Sequence, residues 1–161
     1  MATLPLSGRK AIANAISKRP IHVAWGSGDG AWLTPPAENS SATALLSELG
    51  RRVATQFFYV TPDEAGSISV ASGRYSASPG NTPTRHLYVT VDFDYGEAPS
   101  AVVREVAIFS DTVVQTGLPA GQAYFTPAQI TDPGLMLYVE NLVPIFRNPQ
   151  TTENFSVVVT F

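Results

Sequence analysis

Three carboxylates, Asp92, Asp94 and Glu97, stand within the six residues DFDYGE. Oxygens so close in sequence could serve a hard cation such as calcium. A calcium loop of the helix-loop-helix kind, however, needs ligands at regular offsets that close on a distal Glu, whereas Asp92 and Asp94 lie two apart in an alternating run. That spacing puts both on one face of a strand, so they are expected to mark a face seen by solvent or by a partner. A carboxylate pair for glycosidic cleavage needs a separation that sequence spacing does not give. GSGDG, residues 26–30, echoes a phosphate loop but lacks the Gly-Lys-Ser/Thr ending and leads into no convincing helix, so it reads as a turn. No Gly-x-Ser-x-Gly elbow is present, and with His22 and His86 the only histidines a Ser-His-Asp arrangement has little to draw on. Both read as structural. The absence of cysteine excludes disulfides, thiolate metal sites and a Cys nucleophile. No catalytic residue, metal or cofactor is expected, and the reading is of a non-enzymatic protein.

Trp25 and Trp32 flank the glycine-rich turn around Asp29. Aromatic pairs on loops can stack on sugars or anchor protein interfaces, and they can equally cap one end of a core. Net charge is −3, and its distribution is uneven: residues 1–60 hold six Lys/Arg against three Asp/Glu, and residues 61–161 hold four against ten. Such polarity suits head-to-tail contacts between copies or neighbours, although scattered solvated charge gives the same count. No basic run is interleaved with stacking aromatics, so nucleic acid is not an expected partner. No window approaches a membrane span, and the N-terminus has no apolar stretch long enough for a signal peptide, which points to assembly in cytoplasm.

With 161 residues, 13 prolines and 12 glycines, the chain has the length of one domain cut into short pieces. Residues 1–20 read as an N-terminal arm carrying a short amphipathic helix, with Ala11, Ile12, Ala15 and Ile16 as its stripe, Ser7 as N-cap and Pro20 as stop. The arm lies either on a neighbour or on its own domain. PIHVAWGSGDGAWLTPP then opens on a strand-like run that leads into the glycine-rich turn. SSATALLSELG is expected to be a second helix, capped by Ser40 or Ser41, with Leu45, Leu46 and Leu49 as its apolar face and Gly50 as its stop. From residue 53 the pattern is β, interrupted by a flexible polar loop at 73–84 that includes Arg74 and Tyr75. RHLYVTVDFDYGEAPSAVVREVAIF reads as a hairpin, with Leu87, Val89, Val91, Phe93 and Tyr95 facing one way and Tyr88, Thr90, Asp92 and Asp94 the other. Pro144 marks LMLYVENLVPIF as an edge or bulged strand, and NFSVVVTF ties the C-terminus into a sheet. The expected class is mainly β, an antiparallel β-sandwich over 21–161 with one or two short helices near the N-terminus.

HVAWGSGDGAW, SATALLSELGRR, PTRHLYVTVDFDY, VREVAIF and LYVENLVPIFRNPQTTENFSVVVTF occur in an order that resembles small baseplate proteins of contractile-tailed phages and phage-tail-like bacteriocins, of the ripcord type. The likeness runs over roughly 21–161. Trp25, Gly26, Gly28 and Asp29 match the family's Trp-Gly-x-Gly-Asp turn. Arg85, His86, Leu87 and Tyr88 begin its central strand, and Arg104, Glu105, Ile108 and Phe109 match its Arg-Glu strand. The resemblance implies a non-enzymatic virion part of the tail baseplate, assembled in the host cytoplasm. It would bridge tube or hub components to surrounding wedge or sheath components in a symmetric, six-fold assembly of other tail proteins. The candidate partner interface is Ile12, Ile16, Trp25, Asp29, Trp32, Arg74, Tyr75, Asp92 and Asp94. The alternative is a carbohydrate- or receptor-binding, tail-fibre-like module, for which Trp25 and Trp32 would supply stacking platforms.

Overall fold

The computed structural model describes residues 2–161. In chain order its elements are helix α1 (Leu6–Ser17) and the strands β1 (Ile21–Gly26), β2 (Glu48–Val53), β3 (Gln56–Pro62), β4 (Ile68–Val70), β5 (Gly73–Ala77), β6 (His86–Phe93), β7 (Val102–Ser110), β8 (Val113–Val114), β9 (Tyr124–Phe125), β10 (Ile130–Asp132), β11 (Leu135–Phe146) and β12 (Glu153–Thr160). The mainly β, antiparallel class expected from the sequence is what the structure shows. By contacts the chain divides into two compact units.

The first unit holds the residues up to Arg19, Ala54–Val91 and Asn154–Phe161. Its sheet runs β12-β6-β3-β5-β4. β6 and β3 pair with Tyr59 opposite Leu87 and Val60 opposite His86, so Leu87, Val89 and Val91 are buried on the face they share with Tyr59, while Val60, Tyr75 and Val158 cluster with Tyr88 on the other face. The C-terminus is tied in as expected, with the Phe161 N–H donating to the Arg85 carbonyl at 3.0 Å. Helix α1 starts one residue earlier than its expected cap. Pro5 is the N-cap without a side-chain bond, and Ser7 lies inside the first turn, where its hydroxyl cannot reach the orphan N–H groups. The helix buries Ala13, with Ile16 half-buried, and Tyr59 secures it by hydrogen bonds to Ser17 Oγ at 2.5 Å and Asn14 Oδ1 at 3.3 Å. Ile12 of the expected stripe faces outward.

The stretch at 73–84 contains strand β5 and a 3-10 turn at Pro79–Asn81 in place of a continuous loop. Polar side chains there hold the backbone instead of solvating it. Asn81 Oδ1 accepts the Tyr59 N–H at 2.9 Å, Ser78 Oγ donates to the Thr82 carbonyl at 2.8 Å, and Thr84 Oγ1 donates to the Val60 carbonyl at 2.7 Å.

The second unit holds Pro20–Val53 and Asp92–Glu153. Its main sheet runs β11-β7-β1-β2-β9, and β8 and β10 form a separate pair. β1 is central and buried at every position, which its run of Ile, His, Val, Ala and Trp permits. β11 lies at the edge and slips register between Met136 and Tyr138 and again between Asn141 and Ile145, so the bulge expected near Pro144 is present.

Two sequence expectations are corrected. The second helix does not form: residues 40–47 are irregular, and Glu48–Val53 is strand β2, antiparallel to β1. Leu45 is buried with Ala24, Ala107 and Phe109 while Leu46 is exposed, so no shared helical face exists. The N–H groups of Leu46 and Ser47 are bonded at 3.1 and 2.9 Å to the buried Glu105 carboxylate, which takes the place that i−4 carbonyls would fill. The hairpin is corrected too, because β6 and β7 belong to different sheets and DYGEAPSA is a crossover between them. Alternation along β6 fixed which side chains face inward, but not which strand lies beside it.

Candidate functional site

Trp25 is fully buried and is therefore no surface platform. Its indole stacks on Phe93 with ring centres 3.6 Å apart and planes 9° from parallel, and its Nε1–H donates to Tyr124 Oη at 3.1 Å. Tyr124 Oη in turn donates to the Leu49 carbonyl at 3.2 Å. The guanidinium of Arg147 lies 5.1 Å from the indole centre. Of the two readings of the tryptophan pair, core capping holds for Trp25.

The glycines of the turn are explained by what approaches them. A Cβ on Gly26 would sit 2.4 Å from Glu105 Oε1, and one on Gly28, where φ is +57°, would sit 2.6 Å from the Trp32 ring. The same Glu105 oxygen accepts the Gly28 N–H at 3.2 Å, and Arg104 Nη1 donates to the Ser27 carbonyl at 3.1 Å. The turn is thus clamped by β7, with half-buried Trp32 lying over it. Asp29 is exposed at the tip, its Oδ1 accepting the Ala31 N–H at 2.9 Å.

The three carboxylates of DFDYGE do not converge. Asp92 and Asp94 are exposed, whereas Glu97 is buried, ion-paired with Arg52, and accepts the Asp94 N–H at 2.8 Å. Among the described residues no group of three or more His, Cys, Asp or Glu side chains is placed to hold a metal ion. The outward face expected for Asp92 and Asp94 is where the structure puts them.

Arg147 is a residue that sequence reasoning missed. It opens RNPQTTEN, and its buried guanidinium donates to the carbonyls of Thr151 at 3.0 Å and Asp94 at 2.8 Å, with Glu153 at 3.6 Å. One side chain therefore fixes both the DFDYGE crossover and the loop before β12. Arg51 does the same for another pair of loops. It forms a bidentate pair with Glu48 at 2.8 Å and donates to Thr112 Oγ1 and the Pro133 carbonyl at 2.8 Å, with its guanidinium 4.1 Å above the Phe109 ring. Nothing in the spacing or the immediate neighbours of these arginines marks them out, since Arg51 stands beside Arg52 in ELGRRV and Arg147 follows the end of β11.

The histidines are structural, as expected. Burial, and secondarily the charge of Arg51, lowers the His22 pKa to about 4, so the ring is neutral beside Phe125. His86 is shifted down by burial and by Arg85, whose Nε donates to His86 Nε2 at 3.2 Å. Burial, then the hydrogen bond to Glu140 at 2.6 Å, pushes the Tyr138 phenol up.

Several large apolar side chains remain at the surface. Leu33 is 90% exposed, Phe146 75%, Val143 68% and Ile12 41%. Tyr75, a candidate interface residue, is buried, while Arg74 beside it is exposed and donates to the Gly66 carbonyl at 3.1 Å. In the first unit a groove of about 460 Å³ is lined by Leu6, Lys10, Thr61, Pro62, Thr84, Arg85 and His86. In the second unit a groove of about 550 Å³ runs beside β11, with Trp32, Leu46 and Val139 among its lining. No helix is long and apolar enough to cross a membrane among the described residues.

The buried charges are thus committed to loop anchoring, and several large apolar side chains stand outside. No curated protein matches the chain. A family model described as "Baseplate wedge 3 tail fiber network component" matches residues 1–161, and the chain belongs to that family, a structural component of the phage tail baseplate.

Proposed function

We propose that this protein is a non-enzymatic bridge of the baseplate wedge, one of several copies arranged with six-fold symmetry, joining tube or hub components to surrounding wedge or sheath components before contraction. The observation that supports it is the division of labour among its side chains. The buried Arg51, Glu105 and Arg147 serve loop anchoring, while Ile12, Val143 and Phe146 stand exposed where a partner would cover them. Each such side chain contributes roughly 1.5–3 kcal/mol when fully buried, enough for contacts that are firm together and separable one at a time. The edge strand β11 and the outer face of α1 are then the two grips, and contraction breaks one of them. Burial of Trp25 removes one of the two platforms on which a sugar-binding reading would rest.

The test is complementation of a phage lacking this protein with Ile12→Asp and Phe146→Asp chains. Both positions are exposed, so the chains should fold with unchanged circular dichroism yet fail to enter tail particles. Normal incorporation of both variants would refute the two-grip reading.

A further inference from the structure

The two units carry opposite charge. The first holds six Lys/Arg against two Asp/Glu, and the second holds four against eleven. The four arginines of the second unit are engaged internally: Arg51 with Glu48, Arg52 with Glu97, Arg147 with loop carbonyls and Arg104 with the Ser27 carbonyl. Its exposed charges are consequently acidic, among them Asp29 and Glu38. These two flank Leu33, the most exposed of the large apolar side chains, on a loop stiffened by Pro35 and Pro36.

The groove of the first unit is the complement of that loop. Its volume is about 460 Å³, Leu6 and Pro62 give it an apolar lining, Lys10 and Arg85 bring positive charge, and no carboxylate lines it. An apolar knob flanked by acids fits an apolar groove flanked by cations, and the charges set its orientation.

We infer that the Asp29–Glu38 loop of one copy seats Leu33 in the Leu6–Lys10–Arg85 groove of a second copy. Knob and groove are different surfaces, so the contact is heterologous and leaves each bound pair with one free knob and one free groove. Repetition gives a ring if the rotation closes and an open helix if it does not. A contact built on one loop is small, hence weak in isolation, and is favoured where a baseplate brings copies together. The inference goes beyond the bridging role, which requires partners but not contact between copies.

Sedimentation velocity of the full chain tests it. The expected result is a weight-average mass that rises above 17.2 kDa with concentration and falls back toward it as salt is raised from about 50 to about 500 mM. Leu33→Asp should weaken association at least about tenfold. The groove variant Leu6→Asp/Lys10→Glu, which changes two exposed helix residues, should weaken it equally. Circular dichroism matching wild type establishes that each variant is folded. Mixed together, the knob variant offers an intact groove and the groove variant an intact knob, so the mixture should form a one-to-one dimer and nothing larger. A wild-type mass independent of concentration up to about 1 mM, a millimolar dissociation constant being worth only about 4 kcal/mol, would overturn the inference. So would variants that associate like wild type, or a mixture that stays monomeric. A monomer that still enters tail particles would leave the bridging role standing, which separates the two failures.

Discussion

Replacing Arg147 by Ala should be among the most damaging single changes in the chain. The guanidinium makes two short hydrogen bonds to backbone carbonyls, at 2.8 Å to Asp94 and 3.0 Å to Thr151, and lies 5.1 Å from the Trp25 ring centre. Each partly buried carbonyl left without its donor costs about 1–2 kcal/mol, and the lost cation–π contact adds about 1. The total is about 4 kcal/mol. For a chain of this length 1 kcal/mol moves Tm by about 2–4 °C, so Arg147→Ala should lower Tm by about 8–16 °C. Arg147→Lys should cost about half as much, because a single ammonium on a shorter reach serves one carbonyl but not both. Glu153→Gln separates the contributions. The Arg147–Glu153 pair is 3.6 Å apart and Glu153 is partly exposed, so neutralising the acid should cost less than about 1 kcal/mol. Thermal unfolding followed by circular dichroism reads all three. A Tm for Arg147→Ala within about 3 °C of wild type would refute the reasoning, as would a Glu153→Gln loss equal to that of the alanine variant.

Stability should fall with pH through His22. Its folded pKa is about 4 against 6.5 unfolded, so the unfolded chain binds the extra proton first; the contribution is fully present above pH 6.5 and is lost as pH falls toward 4. The shift corresponds to at most about 3 kcal/mol, less what residual solvent screens, and the difference between wild-type and His22→Leu urea midpoints at pH 7 and pH 4.5 measures it. Gly50→Ala should cost more than about 3 kcal/mol, because φ there is +157° and a Cβ would fall 2.2 Å from Tyr124 Oη, which bonds to Trp25 and Leu49 hold in place. Gly80→Ala, with φ at +60° but open space around it, should cost only about 1 kcal/mol in the same thermal assay.

The legible parts of this fold were those that a period of two can encode. Leu87, Val89, Val91 and Phe93 are buried and Asp92 is exposed as alternation across a pleat predicts, whereas Thr90 on the opposite face is buried with its hydroxyl against Ser156 and Tyr95, past the strand's end, is exposed. Partner choice is not periodic. β6 pairs with β3, β7 pairs with β1 and β11, and the short DYGEAPSA segment that looked like a hairpin turn crosses between sheets. SSATALLSELG was illegible for another reason. Its helical propensity is a few tenths of a kcal/mol per residue, while the competing state gains the β1 ladder and a buried carboxylate for two of its N–H groups. That carboxylate belongs to Glu105, more than fifty residues away. At the surface, Ile12 was readable as apolar, but its outward position depends on Ala13 being the residue that packs.

The motifs that carry the family likeness turn out to hold one another. Gly26 leaves room for Glu105, Gly28 donates to it, Arg104 holds the Ser27 carbonyl, and Trp25 lies against the arginine that opens RNPQTTEN. Changing any one of these should loosen the others, since each leaves a partly buried polar group short of its partner. Such mutual constraint specifies a fold and says little about what binds to it. Leu33, Lys10 and Phe146 lie outside the Trp-Gly-x-Gly-Asp, Arg-Glu and Arg-Asn-Pro motifs, and their side chains can vary without disturbing the clamp. If partner choice resides there, exchanging Leu33 and Glu38 for the residues of another family member should change which copies associate while leaving Tm within a few degrees of wild type. A fall in Tm as large as that expected for Arg147→Ala would mean that this loop serves the fold instead.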